Sequence, residues 1–453
     1  MNKRLAILLC IAMVLSLLPV VALPQTASAA PATTINIAGN SDAGSKSGNG
    51  RIDGTYEFDA TTGTLTLDGF KDSRDITWTD GELNIVVEGE CSGRQIVCMG
   101  PSAGLLTISG AGKLTLSHTS FTIRLEQGLV IDEATVIATT ATDDYCLLIS
   151  DGITVKNGGS LTASSADEIC IRINRGDLTV QSGGYVEGIS DGDTGISVNA
   201  SGNPPYDGGN IIVDGGTVKG SGGGGIEANL GDITLISGSI IGTASGGSPG
   251  IYASRQQNTG GKITVNGGTL TGTNTYETDH QYARGIRAEY GLEITGGKVV
   301  GENKNPDAAA VFVQGQPLVM TDGELTATNT ATAGGGAYGL ESDEGITLTG
   351  GASKTPQLTA SGRLGIVLMT KHISLTKANV KATGVFVGIG ANQMKIVDST
   401  IVAEATEGTA IQVNFFDASG SSDIKAKGTE NGIYAIDGFK VRGNTTILAE
   451  ATG

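Results

Sequence analysis

Several things are scarce in this sequence, and each scarcity removes a class of answer. Aromatic residues make up only 4% of 453 residues, with a single tryptophan, and there are three histidines. His118, His280 and His372 lie far apart and in no metal-ligand spacing, which excludes a sequence-encoded zinc site. No stretch keeps a helical apolar period, which excludes a helical or doubly wound core. Nucleophile-elbow, phosphate-loop and metal-histidine motifs are absent. Basic residues are outnumbered, 29 Lys+Arg against 46 Asp+Glu. That balance argues against nucleic acid and anionic membrane surfaces as partners. It also disfavours polyuronates, unless divalent cations bridge the like charges.

Glycine is abundant instead, at 71 residues. Together with Thr, Ser, Val and Ile in short alternating runs, it predicts many short strands and tight turns. The N-terminus reads as a secretory signal over residues 1–29. Lys3 and Arg4 precede an apolar run from Leu5 to Leu23, and Ala27-Ser28-Ala29 supplies a small-residue cleavage site. Its removal takes the net charge from −17 to about −19. No later segment is apolar enough to span a bilayer, so no transmembrane segment is expected after signal removal.

A repeat decides the expected fold. "GITVKNGGSLTASS" from Gly152, "GDLTVQSGGYVEG" from Gly176 and "GKITVNGGTLTG" from Gly261 share one phrase. A third strand follows as "GISVN" at Gly195, "GIEAN" at Gly225, "GIYAS" at Gly250, "GIRAE" at Gly285 and "GIYAI" at Gly432. The commonest spacing is about 24 residues, with longer units near 30. Three strands and three turns per unit make one coil of a triangular solenoid. The predicted fold is an all-β, right-handed parallel β-helix of about 15 coils over residues 81–453, on the order of 70 Å long. Its inward first-strand ladder runs through Leu83/Ile85, Leu106/Ile108, Leu129/Ile131, Ile153/Val155, Leu178/Val180 and Ile211/Val213. It continues through Ile233/Leu235, Ile263/Val265, Leu292/Ile294, Ile346/Leu348 and Ile373/Leu375.

Residues 30–80 are expected to hold a flexible leader, Pro31 to Gly50, and an N-terminal β cap. "YEFDATTGTLTLDGF" from Tyr56 reads as a hairpin around Thr61, Thr62 and Gly63, with Trp78 just before the first coil. The sequence stops at Gly453 in mid-coil, which reads as a piece of a longer surface protein.

The cap hairpin, the following "GELNIVVEGE" and the Gly-Gly-type coils resemble secreted glycine-rich parallel β-helix repeat proteins of Gram-positive bacteria. Those are adhesin-like or carbohydrate-binding surface proteins. The resemblance covers nearly the whole mature chain but rests on repeat style. It implies a fold shared with pectate lyases and a secreted, cell-surface-associated location. Such proteins often carry cell-wall-binding domains, for which this sequence has no counterpart, and the mode of anchoring stays open.

Several polar patterns recur on this frame. Asn174, Asn199, Asn229, Asn392 and Asn414 share one offset after the third strand, a structural ladder that bonds turn backbone. Cys146 and Cys170 are 24 apart and open successive third strands, so stacking brings them into disulfide range. Cys91 and Cys98 form a weaker pair. Outward third-strand residues run Arg172, Ser197, Glu227, Tyr252, Arg287 and Phe312. Tyr252, Arg287 and Phe312 would stand on consecutive coils as a stripe for sugar rings, or as a cation–π cluster covering surface. The longest insertion, Asn274 to Gly285, adds Tyr282 and His280, with Asp279 beside His280 as an acid/base pair. Asp143 with Asp144, and Asp191 with Asp193, are the nearest approach to a calcium site; no other cofactor is expected.

Three functions fit. The first is a noncatalytic surface protein that binds cell-wall, host or plant polysaccharide or mediates attachment. The second is a polysaccharide lyase or glycoside hydrolase using the loops from Asp279 to Arg287. The third is a purely structural stalk. None of the three histidines has the flanking glycines of pectin-type hydrolases, which leans away from an enzyme. The sequence carries no signal for an oligomeric state.

Overall fold

The structure is a computed structural model. It describes residues 30–37, 41–43, 46–142, 144–201, 207–256, 259–332, 335–368 and 371–453. The signal segment 1–29 and Asp143 lie outside the described residues. All the named elements are strands. Among the described residues no helix is long and apolar enough to cross a membrane.

Parallel strands stack into a β-solenoid of about 15 turns. The predicted first-strand ladder is in register: Leu129 pairs with Ile153, Ile153 with Leu178, Leu178 with Ile211 and Ile211 with Ile233. All five are buried. Leu318 and Met320 also belong to it, between Leu292/Ile294 and Ile346/Leu348. The repeat pattern passes over them because Gln316-Pro317 replaces the usual glycine-led entry. The second sheet stacks Val136, Leu161, Val186, Val218 and Ile240. The third stacks Ile171, Ile196, Ile226, Ile251 and Ile286. Alternation sends one face of each strand inward, and stacking removes it from water.

Two glycine columns make the corner between the second and third strands. A Cβ on Gly188 would lie 2.4 Å from the Gly195 carbonyl, on Gly220 2.4 Å from that of Gly225, and on Gly242 2.0 Å from that of Gly250. Backbone approaches backbone there, so the second-strand "G" and the third-strand "GI" are one packing feature. Coils with Ala138 and Ala163 in the second strand place Cys146 and Cys170 on the opposite side of this corner.

The cap hairpin forms as expected, with Asp53–Asp59 antiparallel to Thr64–Lys71. Thr64–Lys71 then runs parallel to the next strand, Leu65 beside Ile85 and Leu67 beside Val87, so the hairpin's second strand is also the lowest rung of the first sheet. Part of the expected flexible leader is instead a cap strand. Thr34–Ile37 pairs antiparallel with Ile76–Trp78, because alternating Ile35 and Ile37 can be buried on one face. Trp78 is an inward third-sheet residue, its indole N–H donating to the Gly81 carbonyl at 3.2 Å.

Candidate functional site

The third sheet presents its outward residues as a vertical column. Pairing runs Arg172–Ser197–Glu227–Tyr252–Arg287–Phe312–Glu341, one residue per rung. Tyr252, Arg287 and Phe312 therefore do stand on consecutive rungs, but they differ in access. Phe312, expected among the sugar-facing residues, is only 6% exposed. The Arg284 guanidinium lies 3.8 Å from its ring centroid and seals it. Arg284 in turn faces Glu341, Nη2 to Oε2 3.8 Å. Burial holds its guanidinium below the ordinary range. With its face covered, Phe312 cannot stack on a ligand ring.

Below this seal lies a cleft of about 350 Å³, lined by Thr194, Glu227, Ser248, Tyr252, His280, Tyr282 and Arg287 among others. Its size is at the lower end of small-molecule sites, about 300–1,000 Å³. Arg287 sits 5.0 Å from the Tyr252 ring centroid and 4.9 Å from that of Tyr282. Its Nη2 donates to Glu289 Oε1 at 2.5 Å. Tyr252 Oη donates to the same oxygen at 2.9 Å, and the Arg255 backbone N–H to Glu289 Oε2 at 3.0 Å. Burial pushes the Tyr252 phenol above its usual range, and the adjacent Arg287 opposes the shift. Tyr282 is 44% exposed and leaves aromatic surface at the rim. His280 packs edge-on to Tyr282, ring centroids 5.8 Å apart, and lies over Gly247, where a Cβ would meet its ring at 2.8 Å. Its neighbour Asp279 is exposed.

Glu227 lies on the rung below Tyr252. Ser197 Oγ donates to its Oε2 at 3.4 Å. Among the described residues it is in no ion pair. Burial pushes its carboxyl above the ordinary range, the Ser197 bond and Arg172 oppose that shift, and Asp193 and Glu289 add to it.

The insertion that carries His280 and Tyr282 is held by asparagines that the sequence pattern did not single out. Asn274 Nδ2 donates to the carbonyls of Gly246 and Ser248 at 3.1 and 2.7 Å, and its Oδ1 accepts the Tyr276 N–H at 2.8 Å. Asn305 Nδ2 donates to Thr278 O at 2.5 Å. Asn274, Asn303 and Asn329 stack in register at the end of the second strand, all buried. The signal was present as "GTN", "GEN" and "ATN" closing successive second strands.

The expected asparagine ladder is bonded in two stretches. Asn229 Nδ2 donates to Asn199 Oδ1 at 3.0 Å, Ser254 Oγ to Asn229 Oδ1 at 2.9 Å, and Asn414 Nδ2 to Asn392 Oδ1 at 3.0 Å. Asn174 Oδ1 accepts from Arg172 Nε at 3.1 Å. At the site's own rung this column carries Glu289, which turns to Arg287 and Tyr252 instead of bonding along the ladder.

All four described cysteines are buried and free. Cys146 and Cys170 precede the paired residues Leu147 and Ile171; Cys146 Sγ donates to Thr122 Oγ1 at 3.6 Å, and burial pushes the Cys170 thiol above its ordinary range. Cys91 donates to the carbonyls of Leu67 and Glu88, while Cys98 stacks between Trp78 and Leu125 on another sheet. Asp144 accepts from Ser120 Oγ at 2.6 Å and Asp193 from the Thr194 N–H at 2.6 Å. Among the described residues no three His, Cys, Asp or Glu side chains converge as a metal site. No protein-family model, curated protein or solved structure matches the chain.

Proposed function

We propose that this chain is a noncatalytic, secreted or cell-surface-associated rod that binds polysaccharide through the cleft between Glu227 and Tyr282. The observation that carries this reading is the cleft itself. Exposed Tyr282 stands at its rim, and an arginine held between two tyrosine rings forms its wall. Aromatic faces stack on the C–H faces of sugars, while neighbouring polar groups read their hydroxyls. The site is placed by sheet register and by buried asparagines, so its geometry is set before a ligand arrives. The acidic net charge favours neutral or cationic glycans over polyuronates.

Retention of the mature protein on a panel of neutral and acidic glycans tests this. The wild type is expected to be retained on neutral glycans, and Tyr282→Ala to lose about tenfold in affinity, the usual size of an aromatic anchor's contribution. Unchanged retention of the variant overturns the site. Unsaturated product or released sugar, with or without calcium, overturns the noncatalytic reading.

A further inference from the structure

Building on the glycan reading, we infer that the cleft takes an amine-bearing sugar, its ammonium pairing with the carboxylate of Glu227. The argument is a local charge balance. Arg287 and His280 are the basic side chains lining the cleft; the Arg287 guanidinium is already bonded to Glu289, and the His280 ring packs against Tyr282 and Gly247, in no ion pair with Glu227 among the described residues. Glu289 is fully engaged by Arg287, Tyr252 and the Arg255 backbone. Arg172, two rungs below Glu227, acts on it through its charge but is in no ion pair with it, its Nη1 donating to Tyr145 Oη at 2.9 Å and its Nε to Asn174. Asp193 Oδ1 is occupied by the Thr194 backbone and hydroxyl. One carboxylate is therefore left over, on Glu227, with a single 3.4 Å hydroxyl contact.

A partly desolvated carboxylate without a cation is costly, and a cation that reaches it recovers much of that cost. A sugar hydroxyl would satisfy one acceptor but not the charge, and a sugar carboxylate would be repelled. An ammonium satisfies both, and the Tyr252 and Tyr282 rings around the cleft favour a cation over their faces. Burial pushes the Glu227 carboxyl above its ordinary range, and a bound ammonium would oppose that shift by favouring the ionised form.

The test is calorimetric titration of the mature protein with a β-linked glucosamine tetramer and with its N-acetylated counterpart, near neutral pH. The amine form is expected to bind on the order of tenfold tighter, as charge-assisted hydrogen bonds do relative to neutral ones. Added salt should weaken only that form. Glu227→Gln, checked for an unchanged circular dichroism spectrum, should make the two ligands equal. Equal wild-type affinities, or a preference for the acetylated form, overturn the amine assignment and leave the glycan reading standing. Binding of neither tetramer overturns both. Should the variant fail to fold, competition of the bound tetramer by free glucosamine but not by glucose supports the assignment, and equal competition overturns it.

Discussion

A buried polar residue acts differently on stability depending on whether it finds its partners. Asn274, Asn305 and Asn329 each donate to backbone carbonyls of the turns, so their burial is compensated. Glu227 is the contrasting case, since its carboxyl is desolvated without an ion-pair partner. Its proton is held to higher pH in the folded chain than in the unfolded one. The folded state therefore loses stability as pH rises from the ordinary carboxyl range through the raised value, and the loss persists above it. Glu227→Gln is expected to melt close to wild type at about pH 4 and above it at about pH 7. A lower melting temperature at neutral pH would show that the charge is compensated in the folded protein.

Within the coil, the corner between the second and third strands sets what each rung can contain. Where Gly188 faces Gly195 or Gly242 faces Gly250, no side chain fits. Two rungs admit a thiol, and stacking brings Cys146 and Cys170 together at successive rungs. We propose that these two close a disulfide on export. Both thiols are then oxidised, two protons and two electrons passing to a disulfide-bearing oxidant such as oxidised glutathione. Mass spectrometry after unfolding and alkylation should show two alkylated cysteines on protein treated with oxidised glutathione, and four after full reduction. The oxidised form should be the more stable by about 3.5 kcal/mol, the entropy of closing a loop of this length. Four alkylated cysteines in the treated sample would refute the bond.

For the whole molecule, contacts run from each rung to the next, so stability should build rung by rung. Deleting residues 147–170 removes one complete coil and joins Cys146 to Ile171, keeping all three sheets in register. That variant is expected to retain a β-rich circular dichroism spectrum and a cooperative melt at a somewhat lower temperature. Deleting only residues 147–158 places second-strand residues under third-strand ones and should abolish the melt. Equal behaviour of the two deletions would refute a stack built on this period.

The architecture was legible in the chain because a short-range rule wrote it. Alternating Ile, Leu and Val with a glycine at each corner specify one coil, and repetition of that coil specifies its neighbour, so Ile153 beside Leu178 could be read without coordinates. Exceptions arose where a rung departed from the phrase, as at Pro317 and Leu318, or where two isoleucines recruited leader residues into the cap. The outward column was legible in its order as well. Tertiary structure alone decided its access. Arg284, from an insertion, covers Phe312; Glu289, from a ladder position, occupies Arg287; and Glu227 is left unpaired. Those outcomes depend on side chains from different rungs competing for the same few ångströms, and spacing along the chain carries no record of which contact prevails.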